Sequence, residues 1–149
     1  MAVAVAGHWE LSWSSPIKEA DLWNLPLRDF GVSEWWMWPV SGVRNNEQRT
    51  VQLFERDSLR TILEDNGDTT KVFVEAPGFF DFETVMLNEF EHPDDVLYIF
   101  GSAHFNPTVA NMREDDVAVT IPTVEGKGVL WPHQCLVTVL YDRLVKSWQ

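Results

Sequence analysis

The sequence predicts an α/β domain whose mostly parallel sheet is flanked by helices. Short apolar, often β-branched runs alternate along the chain with segments that carry helix-capping residues or helical periodicity. This alternation is typical of βαβ units, in which neighbouring strands are parallel and crossovers are right-handed. Residues 34–39 are mostly apolar, as expected of a strand that is buried on both faces. Because the 149 residues contain no internal repeat or linker, a single domain is expected over residues 1–149.

The N-terminal part is predicted to hold two short strands and a helix before that buried strand. Val3–Val5 is strand-like, and Trp9–Trp13 places its tryptophans on one face. Ser15 and Pro16 suit the N-cap and the first position of a helix. That helix is expected to kink or end near Pro26, because proline lacks the N–H donor and its ring clashes with the preceding turn.

The remainder of the chain continues the alternation and is predicted to end in an amphipathic helix. Residues 51–55 suit either a strand or the start of a helix, and residues 79–91 are ambiguous. The other expected elements are a helix at Asp57–Asn66, strands at Lys71–Glu75, Val96–Phe100 and Val117–Ile121, and a terminal helix at Leu130–Ser147. The stripe expected to be buried on the terminal helix consists of Leu136, Val137, Leu140 and Leu144.

The composition excludes several classes of protein. No apolar run reaches the length that spans a membrane, and residues 1–7 lack the basic and apolar regions of a secretory signal. Cys135 is the single cysteine, so no internal disulfide can form, and a reducing, cytoplasmic location is expected. The 4 histidines share no zinc-ligand spacing with Cys135, so no metal is expected.

The charge pattern leaves two interpretations open. A net charge of −12 weighs against broad nucleic-acid binding and against DNA as a partner. Four arginines nevertheless fall in one short stretch, whereas residues 72–112 contain no lysine or arginine. The pattern is that of a solvated surface, or of a local basic patch that steers one anionic ligand. The patch consists of Arg44, Arg49, Arg56 and Arg60.

Ligands of parallel sheets bind at the carboxyl ends of the strands, where glycines allow the backbone to approach the ligand. Two strands of this sequence end suitably, one in Phe100-Gly101-Ser102 and the other in Ile121-Pro122. If these strands are neighbours in the sheet, their ends lie side by side.

Several short motifs stand in an order and at a spacing that match a known family. In chain order they are Pro16 with Phe30-Gly31-Val32, His92-Pro93 with the strand ending at Gly101-Ser102, Ile121-Pro122, and Leu140-Tyr141-Asp142-Arg143. Together they cover nearly the whole chain. The sequence thereby resembles the SPOUT (α/β-knot) methyltransferases of the SpoU/TrmH-like branch.

The sequence departs from that family at the residues that carry its chemistry. In the N-terminal motif, Glu19, Asp21 and Leu25 replace the family's asparagine, glycine and arginine, and Ala103 replaces the glutamate of the middle motif. Residues 129–131, Val-Leu-Trp, stand where Ser-Leu-Asn is usual. Leucine can neither ionise nor donate a hydrogen bond. Arg28, about one helical turn beyond Leu25, is the candidate catalytic group if its guanidinium reaches the same face past Pro26, and otherwise an ordinary surface arginine beside Asp29, which the pattern favours.

The resemblance implies a C-terminal trefoil knot, a homodimer formed near the terminal helix, and S-adenosylmethionine as cofactor. The implied activity is 2′-O-methylation of a ribose in tRNA or rRNA, with Arg44 and Arg49 as the candidate RNA contacts. Family members hold the cofactor largely through backbone groups of the knotted loops. The candidate cofactor contacts carried over from the family are Phe100, Gly101, Ser102, Ile121, Pro122, Val129 and Leu130.

Two other functions are compatible with the sequence. The first is a catalytically silent descendant that binds a small ligand or a partner protein, with the bulky Trp131 filling the cofactor pocket. The second, a carbohydrate-binding module, is suggested by the 8 tryptophans and opposed by the α/β pattern. Trp131 and Trp148, which flank the terminal helix, are candidates for an interface, where tryptophan is enriched.

Overall fold

One parallel sheet organises the structure, a computed structural model that describes residues 2–9, 16–40, 51–75, 84–101, 112–124 and 130–149. Its strands are β1 Val3–His8, β2 Glu34–Trp38, β3 Gln52–Glu55, β4 Thr70–Val74, β5 Thr84–Met86, β6 Val96–Phe100 and β7 Val117–Thr120. They pair in the order β3-β2-β1-β6-β4-β7-β5. Every neighbouring pair is parallel. The predicted α/β class with a parallel sheet is confirmed.

Helices cover both faces of this sheet. They are α1 Pro16–Asp29, α2 Leu59–Asp65 and α3 Pro132–Ser147, and a 3₁₀ turn spans Leu87–Glu89. The larger hydrophobic core lies between the sheet and helices α1 and α3, and the smaller core lies beneath α2. Because both faces are covered, successive strand residues are apolar, as the sequence around β2 indicated.

Strand β6 fills both cores. Val96, Tyr98 and Phe100 belong to the core beneath α1 and α3, and Leu97 and Ile99 belong to the core beneath α2. None of the five side chains is more than 1% exposed. Burial of large apolar side chains stabilises a fold by about 1.5–3 kcal/mol each. The predicted bounds of β6 are confirmed residue for residue.

Helix α1 does not end at Pro26 but continues to Asp29. The carbonyl of Pro26 still accepts the N–H of Phe30 at 3.0 Å, so the last turn stays closed. Trp23 and Leu27, on either side of the proline, are buried against the sheet. Their packing offsets the hydrogen bond that proline cannot make.

Gly7 allows α1 to lie directly on β1. A Cβ added at Gly7 would be 2.8 Å from Cη2 of Trp23, closer than non-bonded carbon atoms approach one another. Trp23 also stacks on Trp35, with ring centroids 6.3 Å apart. Trp23 therefore lies over the carboxyl-terminal half of β1. After α1, the N–H of Ser33 donates to the carbonyl of Val3 at 3.1 Å, so α1 runs antiparallel to the strands.

Other expectations need correction. Strand β4 lies between β6 and β7, so the ends of β6 and β7 are not adjacent. On α3, Val137 and Leu144 are 41% and 39% exposed, and the buried face is instead formed by Leu136, Val139 and Leu140. The first strand extends to His8, and residues 10–13 of the predicted second strand lie outside the described residues. The trefoil knot stays a prediction, because it depends on the path of residues 102–111 and 125–129, which are also outside the described ranges.

Candidate functional site

The carboxyl ends of three neighbouring strands form the candidate site. Strand β6 ends at Phe100, β4 ends at Val74, and β7 ends at Thr120. Glu75 follows β4 and therefore lies between the two ends that the sequence analysis singled out. The N–H of Glu75 donates to the carbonyl of Val119 at 3.2 Å, which extends the pairing of β4 and β7 by one residue.

Glu75 was missed as a site residue. The sequence did indicate its position, because Glu75 directly follows the apolar run Val72–Val74 and so stands at a strand end. The strand order, which no local pattern shows, is what places this carboxylate at the centre of the edge.

The N-terminus of α3 lies at the same edge. Pro132 occupies the first helical position, and the N–H of Trp131 donates to Oε1 of Gln134 at 3.0 Å. Sγ of Cys135 lies 3.9 Å from the carbonyl oxygen of Leu130. Burial raises the pKa of Cys135 to about 12, and the Glu75 carboxylate acts in the same direction. A raised pKa disfavours the thiolate, the form in which cysteine acts as a nucleophile.

The described cofactor candidates all lie at this edge. Phe100 is 1% exposed and Gly101 is buried, Ile121 is partly buried, and Pro122 and Leu130 are exposed. Ser102 and Val129 lie outside the described residues. Trp131 is 58% exposed, so its ring does not fill an internal pocket.

The structure places Arg28 away from these residues. Arg28 lies in the last turn of α1, next to the amino ends of the strands, and its guanidinium pairs with Asp29 at 3.1 Å. Leu25, which stands at the family's arginine position, is 47% exposed. Arg44 and Arg49 lie outside the described residues.

Two motifs that carried the family resemblance meet at the opposite, amino-terminal edge of the sheet. Nε2 of His92 lies 2.7 Å from Oδ2 of Asp142, and Nδ1 of His92 lies 2.6 Å from the hydroxyl of Tyr98. Asp142 also accepts Nζ of Lys146 at 2.8 Å. Arg143 donates to the Tyr98 hydroxyl at 3.1 Å and to the carbonyl of Pro93 at 2.6 Å.

This network assigns the protonation of His92. Because Asp142 can only accept when ionised, Nε2 carries the proton and Nδ1 accepts the O–H of Tyr98. Burial lowers the pKa of His92, against the opposing effect of Asp142. Burial also raises the pKa of Tyr98 to about 12, although Arg143 opposes the shift. Each of the donors named in this network has an acceptor. The hydrogen bonds between the His92-Pro93 motif and the Asp142-Arg143 motif therefore hold α3 against the segment before β6.

Neither a metal centre nor a membrane span was found in the described part of the chain. No group of three or more His, Cys, Asp or Glu side chains among those residues could hold a metal ion. No described helix is both long and apolar enough to cross a bilayer.

No family profile and no curated protein sequence matches the chain. Solved structures do match it. The SpoU methyltransferase AviRb from Streptomyces viridochromogenes, in complex with AdoMet, superposes with a TM-score of 0.74 at 11% identity, over 99% of this chain and 58% of that chain. The TrmH/SpoU tRNA modifying enzyme of A. aeolicus superposes with a TM-score of 0.69 at 14% identity, over 99% of this chain and 75% of that chain. A protein whose structure is described as giving insight into the 2-OH methylation of C/U34 on tRNA superposes with a TM-score of 0.66 at 14% identity, over 99% of this chain and 97% of that chain.

The chain therefore has the fold of the SpoU/TrmH methyltransferases. The resemblance stated from the sequence is confirmed at the level of the fold, and at these identities the comparisons establish the fold alone.

Proposed function

We propose that this protein is an S-adenosylmethionine-dependent RNA methyltransferase that acts on a ribose 2′-hydroxyl of tRNA or rRNA. The observation that carries the proposal is the convergence of β4, β6, β7 and the N-terminus of α3 at one edge of a SpoU-type sheet. The AviRb structure, which has the same fold, is a complex with AdoMet, and this supports AdoMet as the cofactor proposed here.

The residues of this edge fit such a cofactor. Ile121 and Leu130, which are partly buried and exposed, supply apolar surface for an adenine ring, and Gly101 follows the buried Phe100 at a strand end where backbone can approach a ligand. Thr120 is 3% exposed, and its Oγ1 has no hydrogen-bond partner among the described residues. A buried hydroxyl without a partner is costly, and a polar ligand at this strand end would supply one. When bound, the cofactor supplies an electrophilic methyl group.

We further propose a homodimer formed through α1 and α3. Both helices leave large apolar side chains in solvent on their outer surfaces, between 39% and 70% exposed. On α3 these recur with the spacing of a helix–helix seam. The set is Leu22 and Leu25 on α1 with Val137, Tyr141, Leu144 and Trp148 on α3. Light scattering should give twice the monomer mass, and Tyr141→Asp should give a folded monomer.

A catalytically silent binding protein is the second candidate. It is favoured by Leu25 at the arginine position and by the pairing of Arg28 with Asp29. Arg28→Ala tests Arg28 as the catalytic group. An exposed pair of this kind contributes about 0–1 kcal/mol, so a loss of methylation in this variant would not reflect unfolding.

Calorimetric titration with S-adenosylmethionine and S-adenosylhomocysteine tests the proposed function. We expect micromolar binding that is lost in Gly101→Leu and kept in Gly67→Leu. Gly67 is a matched control, because it follows α2 at the opposite edge and a Cβ there would lie 3.4 Å from the nearest carbonyl oxygen. Absence of heat with the folded wild-type protein would contradict the proposal and leave the binding protein.

A further inference from the structure

Two of the described tryptophans are exposed, and they lie at opposite ends of α3. Trp148 follows the helix at the amino edge of the sheet and belongs to the face proposed to form the dimer. Trp131 precedes the helix at the carboxyl edge, is 58% exposed and lies outside that face. The remaining described tryptophans are at most 6% exposed and belong to the two cores; they are Trp9, Trp23, Trp35, Trp36 and Trp38. Among these residues, Trp131 is therefore the accessible indole beside the proposed cofactor site.

The backbone of Trp131 is fixed, whereas its ring is accessible. Its N–H donates to Oε1 of Gln134 at 3.0 Å, and its carbonyl accepts the N–H groups of Gln134 and Cys135 at 2.9 and 3.0 Å. Within the described part of the chain, the indole makes no ring contact and no cation–π contact. A tryptophan side chain has two rotatable bonds, so holding it against a flat ligand costs little conformational entropy.

Trp131 lies on the same face of the sheet as the residues proposed to contact the cofactor. Leu130 directly precedes it, so the two Cα atoms are about 3.8 Å apart. Cys135, one helical turn after Trp131, packs against the core beneath α1 and α3, and so does Ile121 at the end of β7. Val124, which follows β7, is fully exposed as well. The ring is thus part of an exposed apolar surface at this edge.

This surface suits a base better than it suits a phosphate. The net charge of −12 opposes attraction of the RNA backbone, which needs clustered lysine and arginine. Stacking of a base on an aromatic ring requires no positive charge, because every base has a π-face. The bases of an RNA helix are stacked on their neighbours, whereas those of loops and single strands can be splayed out onto aromatic side chains.

We infer that Trp131 stacks on the base of the acceptor nucleotide, an inference that rests on the proposed function. The base lies on the indole beside Leu130, and its ribose faces the cofactor. The substrate is then an unpaired nucleotide, in a loop or single-stranded segment of the RNA. Because stacking does not read the edges of a base, Trp131 selects an unpaired nucleotide and not a particular base.

Binding of RNA without the cofactor is the first test, measured by the fluorescence anisotropy of an end-labelled oligouridylate. Trp131→Ala should weaken binding by about 5–150-fold, as expected for the loss of one stacked base, and Trp131→Phe should restore most of it. The ratio of the two affinities should be the same at about 50 and 200 mM salt, because the substitution removes no phosphate contact. The same strand paired with oligoadenylate should bind wild type and Trp131→Ala equally.

A purely structural role for Trp131, as the residue that starts α3, predicts a different set of results. It would lower the urea midpoint and the affinity for S-adenosylmethionine, and Trp131→Phe would not restore RNA binding selectively. We expect both properties to be unchanged in Trp131→Ala, with a raised KM and an unchanged kcat for methylation of pooled tRNA and rRNA transcripts. His133→Ala is a matched control, since it alters the same turn of α3, keeps the indole and should behave as wild type.

The outcomes separate the inference from the proposed function. Equal affinity of wild type and Trp131→Ala for the oligouridylate, absence of binding by the wild type, or an equal loss on the duplex would overturn the role of Trp131 alone. Methylation of the transcripts would in that case leave the proposed function standing. A wild type that binds the cofactor and methylates no transcript would overturn the proposed activity and, with it, the assignment of Trp131 to the acceptor nucleotide.

Discussion

The contact between His92 and Asp142 should dominate the attachment of α3 to the sheet. In Asp142→Ala, Nε2–H of His92 loses its acceptor in a side chain that is only 5% exposed. A buried donor left without a partner costs about 1–3 kcal/mol. In this variant Nζ of Lys146 loses its pair with Asp142 but keeps its hydrogen bonds to the carbonyls of Leu87 and Phe90, at 2.6 and 2.8 Å. The loss of that pair therefore adds little to the destabilisation. We expect the free energy of unfolding to fall by about 2 kcal/mol.

A double-mutant cycle isolates the contact. His92→Phe retains a ring against Phe90 and Tyr98, whose centroids lie 5.0 and 5.8 Å from that of His92. If the two single losses were additive, the double variant would lose their sum. We expect it to lose about 1.5–3 kcal/mol less than that, because the hydrogen bond between His92 and Asp142 has a charged acceptor. Urea titration followed by tryptophan fluorescence measures each value. Asp29→Ala, which breaks the exposed pair with Arg28, is the control and should change stability by less than about 0.5 kcal/mol. A coupling below about 0.5 kcal/mol would refute the reasoning.

Three further predictions concern packing and ionisation. Gly7→Ala should lower stability by about 1–3 kcal/mol and change the fluorescence of Trp23, because the new methyl would lie 2.8 Å from that ring; unchanged stability and fluorescence would contradict this packing. Since burial lowers the pKa of His92, its contribution to stability is present above about pH 6.5 and is lost as pH falls through the folded value. Between pH 5 and 8 the urea midpoint of the wild type should rise with pH, and the midpoint of His92→Phe should rise less. Equal rises in the two proteins would contradict the assigned role of His92. With a pKa raised to about 12, Cys135 should react with a disulfide reagent at pH 8 only after unfolding in urea, and fast labelling of the folded protein would count against its burial.

The sequence carried most of the local structure and part of the site. β6 was predicted to the residue because an uninterrupted apolar run between polar flanks leaves little ambiguity. α1 was expected to kink or end near Pro26; it continues to Asp29, because the burial of Trp23 and Leu27 offsets one missing hydrogen bond. The exposure of Val137 was not predictable, because which apolar stripe of α3 faces the sheet depends on how the helix is rotated.

Only part of the candidate site could be predicted from the sequence. Gly101 and Ile121 follow strands directly and could be recognised as strand ends. Glu75 takes its place at this edge from the strand order, since β4 separates β6 from β7. Those relations join residues far apart in the chain, and no local pattern encodes them.

The position of β1 inside the sheet, between β2 and β6, has a consequence for synthesis. Val3 pairs with Val96, so β1 must wait for β6 to be synthesised before it gains this neighbour. At about 5–20 residues per second, that interval is roughly 5–20 s. During it, the apolar edge of β1 has no neighbour on one side, and the nascent chain offers a template for wrong pairing with other chains. Production of the protein should therefore depend on chaperones that hold the β1 segment until β6 has been synthesised.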